Sequence, residues 1–279
     1  MDGYFCGWYF RCQSEEQTLA IIPSVHKAGG ESFCTVQLIT DEERFHTRFP
    51  YEAFHRGAGE ISIGGNRFGK WGMSLDLHTP QWGAEGEVHF GAFTSIRYDI
   101  MGPFRYVPFL QCRHRVCSMG HRVDGGLRIN GKPYVFDNAV GYLEGDRGRS
   151  FPREYVWTQC SFPAGALMLS VADIPLGRFR FTGVIGIALL DGKEYRLATY
   201  LGARAVNIQN GEVIVRQGRF CLTVRQLDAP GHPLQAPVRG AMTRIIHEHP
   251  SCRVYYRFAE GDTTLLELEA PNAGFEYEY

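Results

Sequence analysis

The sequence has little net charge and no long apolar run. Lysine and arginine number 29 against 30 aspartates and glutamates, which gives a formal net charge of −1. Nucleic-acid-binding domains carry a basic face, so we expect no nucleic acid as a partner. A membrane-spanning helix needs about 18 consecutive apolar residues. The sequence contains no such stretch, so we expect no integral membrane segment.

Export signals and several common catalytic motifs are also absent. The N-terminus lacks the cationic start and apolar stretch of a secretory signal. The eight cysteines are therefore expected to be reduced thiols, and the expected location is cytoplasmic. The chain has no P-loop, no His-Glu-x-x-His metal motif and no Gly-x-Ser-x-Gly nucleophile turn. The oligomeric state stays open at this level.

Glycine is abundant, and helical periodicity is scarce. Glycine occupies 33 of 279 positions, well above the usual share of about 7%. Short β-type runs alternate with turn signals, which are Asn130-Gly131, Asp191-Gly192, Asn210-Gly211 and Asp124-Gly125-Gly126. The strands are too numerous for one small barrel. We predict an all-β fold of two antiparallel β-barrel domains packed together, spanning residues 1–103 and 104–279.

Charged side chains concentrate between residues 139 and 150. Glu144 and Asp146 are two positions apart, so an extended chain carries them on one face. Arg147 and Arg149 follow on the other face. Two interpretations fit this spacing: a carboxylate and arginine site, or a turn closed by weak surface ion pairs.

An aromatic strand follows this acidic and basic segment. Tyr155, Trp157 and Gln159 alternate along it and therefore share one face, which lines either a pocket or a core. Trp8 lies in an N-terminal strand of aromatic residues, which is typical of a core strand. The last four residues, 276–279, indicate a frayed strand end.

One segment contains possible metal ligands. Cys112 and His114 lie on one face of a predicted strand, whereas Cys117 and His121 lie on the other. They could meet at one ion only through a bulge near Gly120, so we expect barrel-lining or surface residues and no metal site.

Two segments resemble the tocopherol cyclase family. Cys6-Gly-Trp-Tyr-Phe-Arg11 is similar to its EGWYFR opening, and the block from Gly141 to Cys160 is similar to its Y-x-E-x-[ND]-W-G-x-x-F-P-x-x-[WY]-x-W-x-Q-C motif. More distantly, the pattern resembles the carotenoid hydratase group. The resemblance implies lipocalin-like barrels. It also implies ring closure of a prenylated quinol to a chromanol by a cofactor-free intramolecular lyase or isomerase.

The resemblance also suggests roles for individual residues. Asp146 would protonate the prenyl double bond, with Glu144 as the second choice of acid. An acid in an apolar pocket can keep its proton, and aromatic faces stabilise a passing cation. The aromatic wall would comprise Trp8, Tyr142 and Trp157, with Tyr155 also in contact with substrate. Gln159 and Arg149 would orient the head group.

Two departures keep other functions open. Cys6 replaces the glutamate that opens the first motif, and Arg147 replaces the tryptophan of the second. Arg147 would either favour the ionised form of Asp146 or bind an anionic head group. The alternatives are a lipocalin-like binder of an apolar ligand and a hydratase in which water traps the cation.

Overall fold

The computed structural model describes residues 3–108, 110–176, 179–229 and 231–279. These residues form 21 β-strands and three short 3-10 turns, and no α-helix occurs within the described ranges. The all-β prediction is therefore confirmed. Among the same residues, no helix has the length and apolar character needed to cross a membrane.

Eleven strands form the first sheet. They are β1 (Tyr4–Gln13), β2 (Thr18–Ala28), β3 (Glu31–Thr40), β4 (Arg44–Pro50), β5 (Phe54–Arg56), β6 (Glu60–Ile63), β7 (Asn66–Gly69), β8 (Gly72–His78), β9 (Gly83–Phe90), β10 (Cys112–Ile129) and β11 (Lys132–Gly148). Their order across the sheet is β4-β3-β2-β1-β11-β10-β9-β8-β7-β6-β5. In this sheet β1, the first strand along the chain, therefore lies beside β11, the last strand of the sheet, and residues more than a hundred positions apart come into one region.

Ten strands form the second sheet. They are β12 (Tyr155–Phe162), β13 (Gly165–Leu176), β14 (Phe179–Leu190), β15 (Lys193–Ala198), β16 (Arg204–Gln209), β17 (Glu212–Gln217), β18 (Phe220–Gln226), β19 (His232–Val238), β20 (Ala241–Glu260) and β21 (Thr263–Tyr277). The main path is β15-β14-β13-β12-β21-β20-β18-β17-β16, and β19 pairs with β20. The structure thus shows two large antiparallel sheets, whereas their closure into barrels stays a prediction.

Alternating apolar residues and tight turns explain this strand pattern. In β8, Met73, Leu75 and Leu77 are buried in alternation and contribute to the core of the first sheet. The Asn130-Gly131 turn has φ values of 48° and 81°, the left-handed pair that a two-residue hairpin requires. The Asn210-Gly211 turn has the same character, with φ values of 52° and 74°. These two turn predictions are confirmed.

The turn predicted at Asp124–Gly126 is wrong, because β10 runs through these residues without reversing. Gly125 has φ +121°, and a Cβ there would lie 2.5 Å from the carbonyl oxygen of Glu87 on β9. The glycine therefore permits two paired strands to approach closely, rather than turning the chain.

The chain divides into two compact units, and each unit consists of three separate segments of the chain. Unit 1 contains 1–95, 116–147 and 239–241, whereas unit 2 contains 96–115, 148–238 and 242–279. This differs from the predicted division at 103 and 104. The reason is that β10 and β11 return to pair within the first sheet after the first nine strands are complete. Each unit has its own apolar core.

Candidate functional site

The acidic side chains of the second motif lie on one face of β11 in unit 1. Leu143 packs into the apolar core of this unit. Strand alternation therefore places Tyr142, Glu144 and Asp146 on the opposite face. Tyr142 is 1% exposed and Glu144 is 5% exposed, whereas Asp146 is half-buried. A buried acidic group thus stands beside a more accessible one.

A direct hydrogen bond organises this face. The hydroxyl of Tyr142 donates to Oε2 of Glu144. A carboxylate oxygen of Asp146 lies within 4.8 Å of one of Glu144. Burial, followed by the negative charge of Glu144, raises the pKa of Tyr142 well above its ordinary value. Tyr142 therefore remains a neutral phenol at ordinary pH and holds the Glu144 carboxylate in one orientation. We call Tyr142, Glu144 and Asp146 the β11 acid cluster.

Trp8 lies on the other side of this strand. It packs against the core of unit 1, and its ring stacks with Phe54 at a centroid distance of 6.5 Å. A Cβ on Gly145 would lie 3.5 Å from Cδ1 of Trp8, so the indole rests against the backbone of β11. Gly145 belongs to the face that carries Leu143. Trp8 is therefore separated by the strand from the β11 acid cluster.

The two predicted arginines are exposed. Arg147 follows Gly145 by two positions and shares its face of β11. Among the ion pairs of the described residues, Arg147 takes part in none, so the strand does not direct its guanidinium onto Asp146. Arg149 follows the end of β11, and its backbone N–H donates to the carbonyl oxygen of Gln111 at 2.8 Å.

The aromatic residues of β12 form a second cluster, in unit 2. Val156 and Cys160 face the apolar core, so Tyr155, Trp157 and Gln159 lie together on the opposite face. All three are buried. Gln159 Nε2 donates to the hydroxyl of Ser161 at 3.1 Å. The shared face is thus the one that the alternation predicted, although its role in substrate binding stays a prediction.

Two acidic residues in this second cluster were not identified from the sequence. Glu276 lies directly opposite Trp157 on one neighbouring strand and directly opposite Glu248 on the other. Directly paired residues carry their side chains on the same face. Glu248 is 1% exposed and Glu276 is 9% exposed. Both carboxyl groups therefore belong to the buried face of Trp157.

The hydroxyl of Tyr155 donates to Oε2 of Glu276, so each unit contains a buried tyrosine bonded to a glutamate. Burial, followed by the charge of Glu276, raises the pKa of Tyr155 well above its ordinary value. The frayed end predicted for residues 276–279 is not what forms. In the structure β21 continues to Tyr277. Alternation of Glu276 with aromatic residues was the available signal of a buried position.

His121 is placed as a core residue rather than as a metal ligand. Its ring contacts Phe90 and Phe93, each at a centroid distance of 4.7 Å. Its Nδ1 lies 3.0 Å from the hydroxyl of Ser118. Burial lowers the pKa of His121 to about 4. Cys117 packs against the same core, in agreement with the barrel-lining interpretation of this strand.

No protein-family model matches the chain. The chain is 30% identical over 121 residues to a probable chloroplastic tocopherol cyclase of Oryza sativa subsp. japonica, a match that covers 40% of this chain and 26% of that protein. It is 29% identical over 77 residues to the chloroplastic tocopherol cyclase of Zea mays, covering 28% and 16% of the two chains.

The chain resembles the tocopherol cyclase family. The matched part spans less than a third of either plant protein. This agrees with the family suggested by the two sequence motifs.

Solved structures extend the likeness to the whole chain, at the level of the fold. Kievitone hydratase from Nectria haematococca has a TM-score of 0.56 and 10% identity, covering 99% of this chain and 89% of that one. CghA in complex with Sch210972 has a TM-score of 0.61 and 8% identity, covering 99% and 88%. A candidate AttH protein from Nitrosomonas europaea has a TM-score of 0.55 and 10% identity, covering 100% and 93%.

Proposed function

We propose that the chain catalyses proton transfer to a carbon–carbon double bond of an isoprenoid substrate, as an isomerase or a hydratase. The observation that carries this proposal is the β11 acid cluster, in which a buried tyrosine orients one carboxyl group beside a second. The partial likeness to tocopherol cyclases supports an isoprenoid substrate, and the shared fold of kievitone hydratase supports a reaction that adds water.

In this mechanism Asp146 donates its proton to the less substituted carbon of a trisubstituted double bond. The electron pair of the double bond forms the new carbon–hydrogen bond and leaves a tertiary cation. An oxygen nucleophile then forms a carbon–oxygen bond with that cation and loses a proton, which returns to Asp146. A phenol of the same substrate gives ring closure, whereas a water molecule gives hydration.

Glu144 and Tyr142 have supporting roles in this scheme. The Glu144 carboxylate accepts the hydrogen bond from Tyr142, which holds it in place. A fixed negative charge in a water-poor environment stabilises a developing cation without reorganising during the reaction. Glu144 thus becomes the electrostatic partner of the acid. Glu144 as the acid itself is the second choice.

The decisive assay incubates the protein with a short-chain prenylated hydroquinone and separates the products by chromatography with mass detection. A product of unchanged mass indicates cyclisation, and one heavier by a water molecule indicates hydration. We expect Asp146→Asn to lower the rate by at least about 100-fold, because a positioned general acid contributes about that much or more. Tyr142→Phe should lower the rate less, since the carboxyl groups remain.

Asp137→Asn is the matched control, because Asp137 is an exposed acid on the same strand. Circular dichroism establishes that each variant is folded. Wild-type turnover in Asp146→Asn would refute the assignment of Asp146 as the acid, and wild-type turnover in Glu144→Gln as well would exclude the second choice. If no variant and no wild-type sample forms product while the hydroquinone binds tightly, the protein is a binder of an apolar ligand.

A further inference from the structure

An aromatic and cationic surface of unit 1 lies on the face of β11 opposite the β11 acid cluster. We call it the Trp8 patch, and it consists of Cys6, Trp8, Phe54, Arg56 and Arg147. Trp8 and Cys6 are half-buried and pack against the core, whereas both arginines are exposed. The patch therefore combines apolar rings that are partly open to solvent with two full positive charges.

The aromatic rings of Trp8 and Phe54 stack on each other, and the guanidinium of Arg56 lies near the Trp8 ring. Trp8 stacks with Phe54, whose ring also lies 6.2 Å from that of Tyr51. Cζ of Arg56 lies 5.6 Å from the centroid of the Trp8 ring. Arg56 follows Phe54 by two positions in β5, so both side chains lie on one face of that strand. The cation thus lies at the border of the aromatic surface.

The second guanidinium comes from β11. Gly145 is the residue against which Trp8 rests, and Arg147 lies two positions further on the same face. Burial raises the pKa of the Cys6 thiol; a hydrogen bond with Tyr4 and then the positive charges of Arg56 and Arg147 oppose this rise, while Asp146 adds to it. Both guanidinium groups therefore act on the same thiol of β1.

Neither cation is neutralised by a paired carboxylate. Within the described part of the chain, the ion pairs include neither Arg56 nor Arg147. Surface arginines are often paired with acidic groups. In the Trp8 patch, two guanidinium groups without a carboxylate partner border one aromatic surface. A ligand that covers this surface would exclude water, and this would strengthen an ionic contact between the ligand and the arginines.

We propose that the Trp8 patch is a binding site for an amphiphile with an anionic head group, which Arg56 and Arg147 bind, and an apolar tail, which Trp8 and Phe54 bind. Guanidinium groups match the planar, bidentate geometry of carboxylate and phosphate. Two cations suit a single head group. The site does not depend on the proposed acid, because Arg147 and Asp146 lie on opposite faces of β11 and the readout is binding rather than turnover.

The test uses dodecanoate as the probe, below the concentration at which it forms micelles, with dodecyl phosphate and dodecanol as matched ligands. Calorimetry gives the dissociation constants. Peptide-resolved alkylation by N-ethylmaleimide reports whether ligand protects the Cys6 thiol. We expect Arg56→Gln and Arg147→Gln each to weaken dodecanoate binding by about tenfold, as for the loss of a charge-assisted hydrogen bond. Dodecanol binding should be unchanged in both variants.

Arg67→Gln is the control, because Arg67 is exposed on β7 of the same sheet and lies outside the patch. Protection of Cys6 by dodecanoate, with weakened binding in both patch variants, supports the proposal. Tighter binding of dodecyl phosphate than of dodecanoate also supports it and identifies phosphate as the preferred head group. Equal binding of dodecanol and dodecanoate, wild-type constants in both variants, or an unprotected Cys6 would each overturn it.

Discussion

Acidification should destabilise the protein through His121, which is buried among aromatic rings. Burial lowers the pKa of His121 from 6.5 to about 4. The unfolded chain therefore binds a proton at a higher pH than the folded chain does. The stability contributed by the neutral histidine is complete above the unfolded pKa and is lost as the pH falls through 6.5 towards 4. Between pH 7 and pH 5, the linkage relation gives a loss of about 1.8 kcal/mol of unfolding free energy.

The measurement is urea unfolding at pH 7 and pH 5, followed by tryptophan fluorescence and circular dichroism. Wild type should lose about 1.8 kcal/mol more between the two pH values than His121→Gln does, because glutamine does not titrate. Glutamine also keeps a polar group beside Ser118. His26, whose pKa burial likewise lowers to about 4, contributes equally to both proteins and cancels in the comparison.

His78→Gln is the control, because the His78 side chain is exposed to solvent; its Nε2 lies 3.2 Å from Oδ1 of Asp76, which is also exposed. This variant should keep the wild-type difference between pH 7 and pH 5. The reasoning about His121 is refuted if His121→Gln loses as much unfolding free energy as wild type over the same interval.

One further substitution in each unit tests a buried contact, and Gly120→Ala serves as a control in unit 1. Gly141→Ala places a Cβ 2.3 Å from Nε2 of His121. We expect this overpacking to lower the free energy of unfolding in urea by about 1–3 kcal/mol. Gly120→Ala should lower it far less, because a Cβ at Gly120 has nothing within 4 Å. Arg196→Met removes the partner of Glu194 from a pair in which both side chains are under 9% exposed. It should cost about 3 kcal/mol, measured by the same titration, and a neutral result would show that the pair is solvated.

The strand faces could be predicted from the sequence because they depend only on local geometry. Alternation in an extended chain separates Tyr155, Trp157 and Gln159 from Val156 whatever the rest of the fold. The tight turns at Asn130 and Asn210 are similarly local, since they need only residues that tolerate positive φ. In contrast, the sequence around Gly125 predicts a turn, because it does not reveal the neighbouring strand that approaches this glycine closely.

The neighbours of each face were decided by the tertiary structure alone. Glu276 lies opposite both Trp157 and Glu248, positions that are far apart in the chain. Strand pairing across such separations depends on how whole sheets assemble, which no local pattern encodes. The same holds for Arg56, which reaches Trp8 only because β5 and β1 pack against one core. The all-β class, and the side of each strand on which a residue lies, follow from local sequence patterns. Which side chains meet there depends on the tertiary structure, because contacts between distant strands form only when the sheets fold.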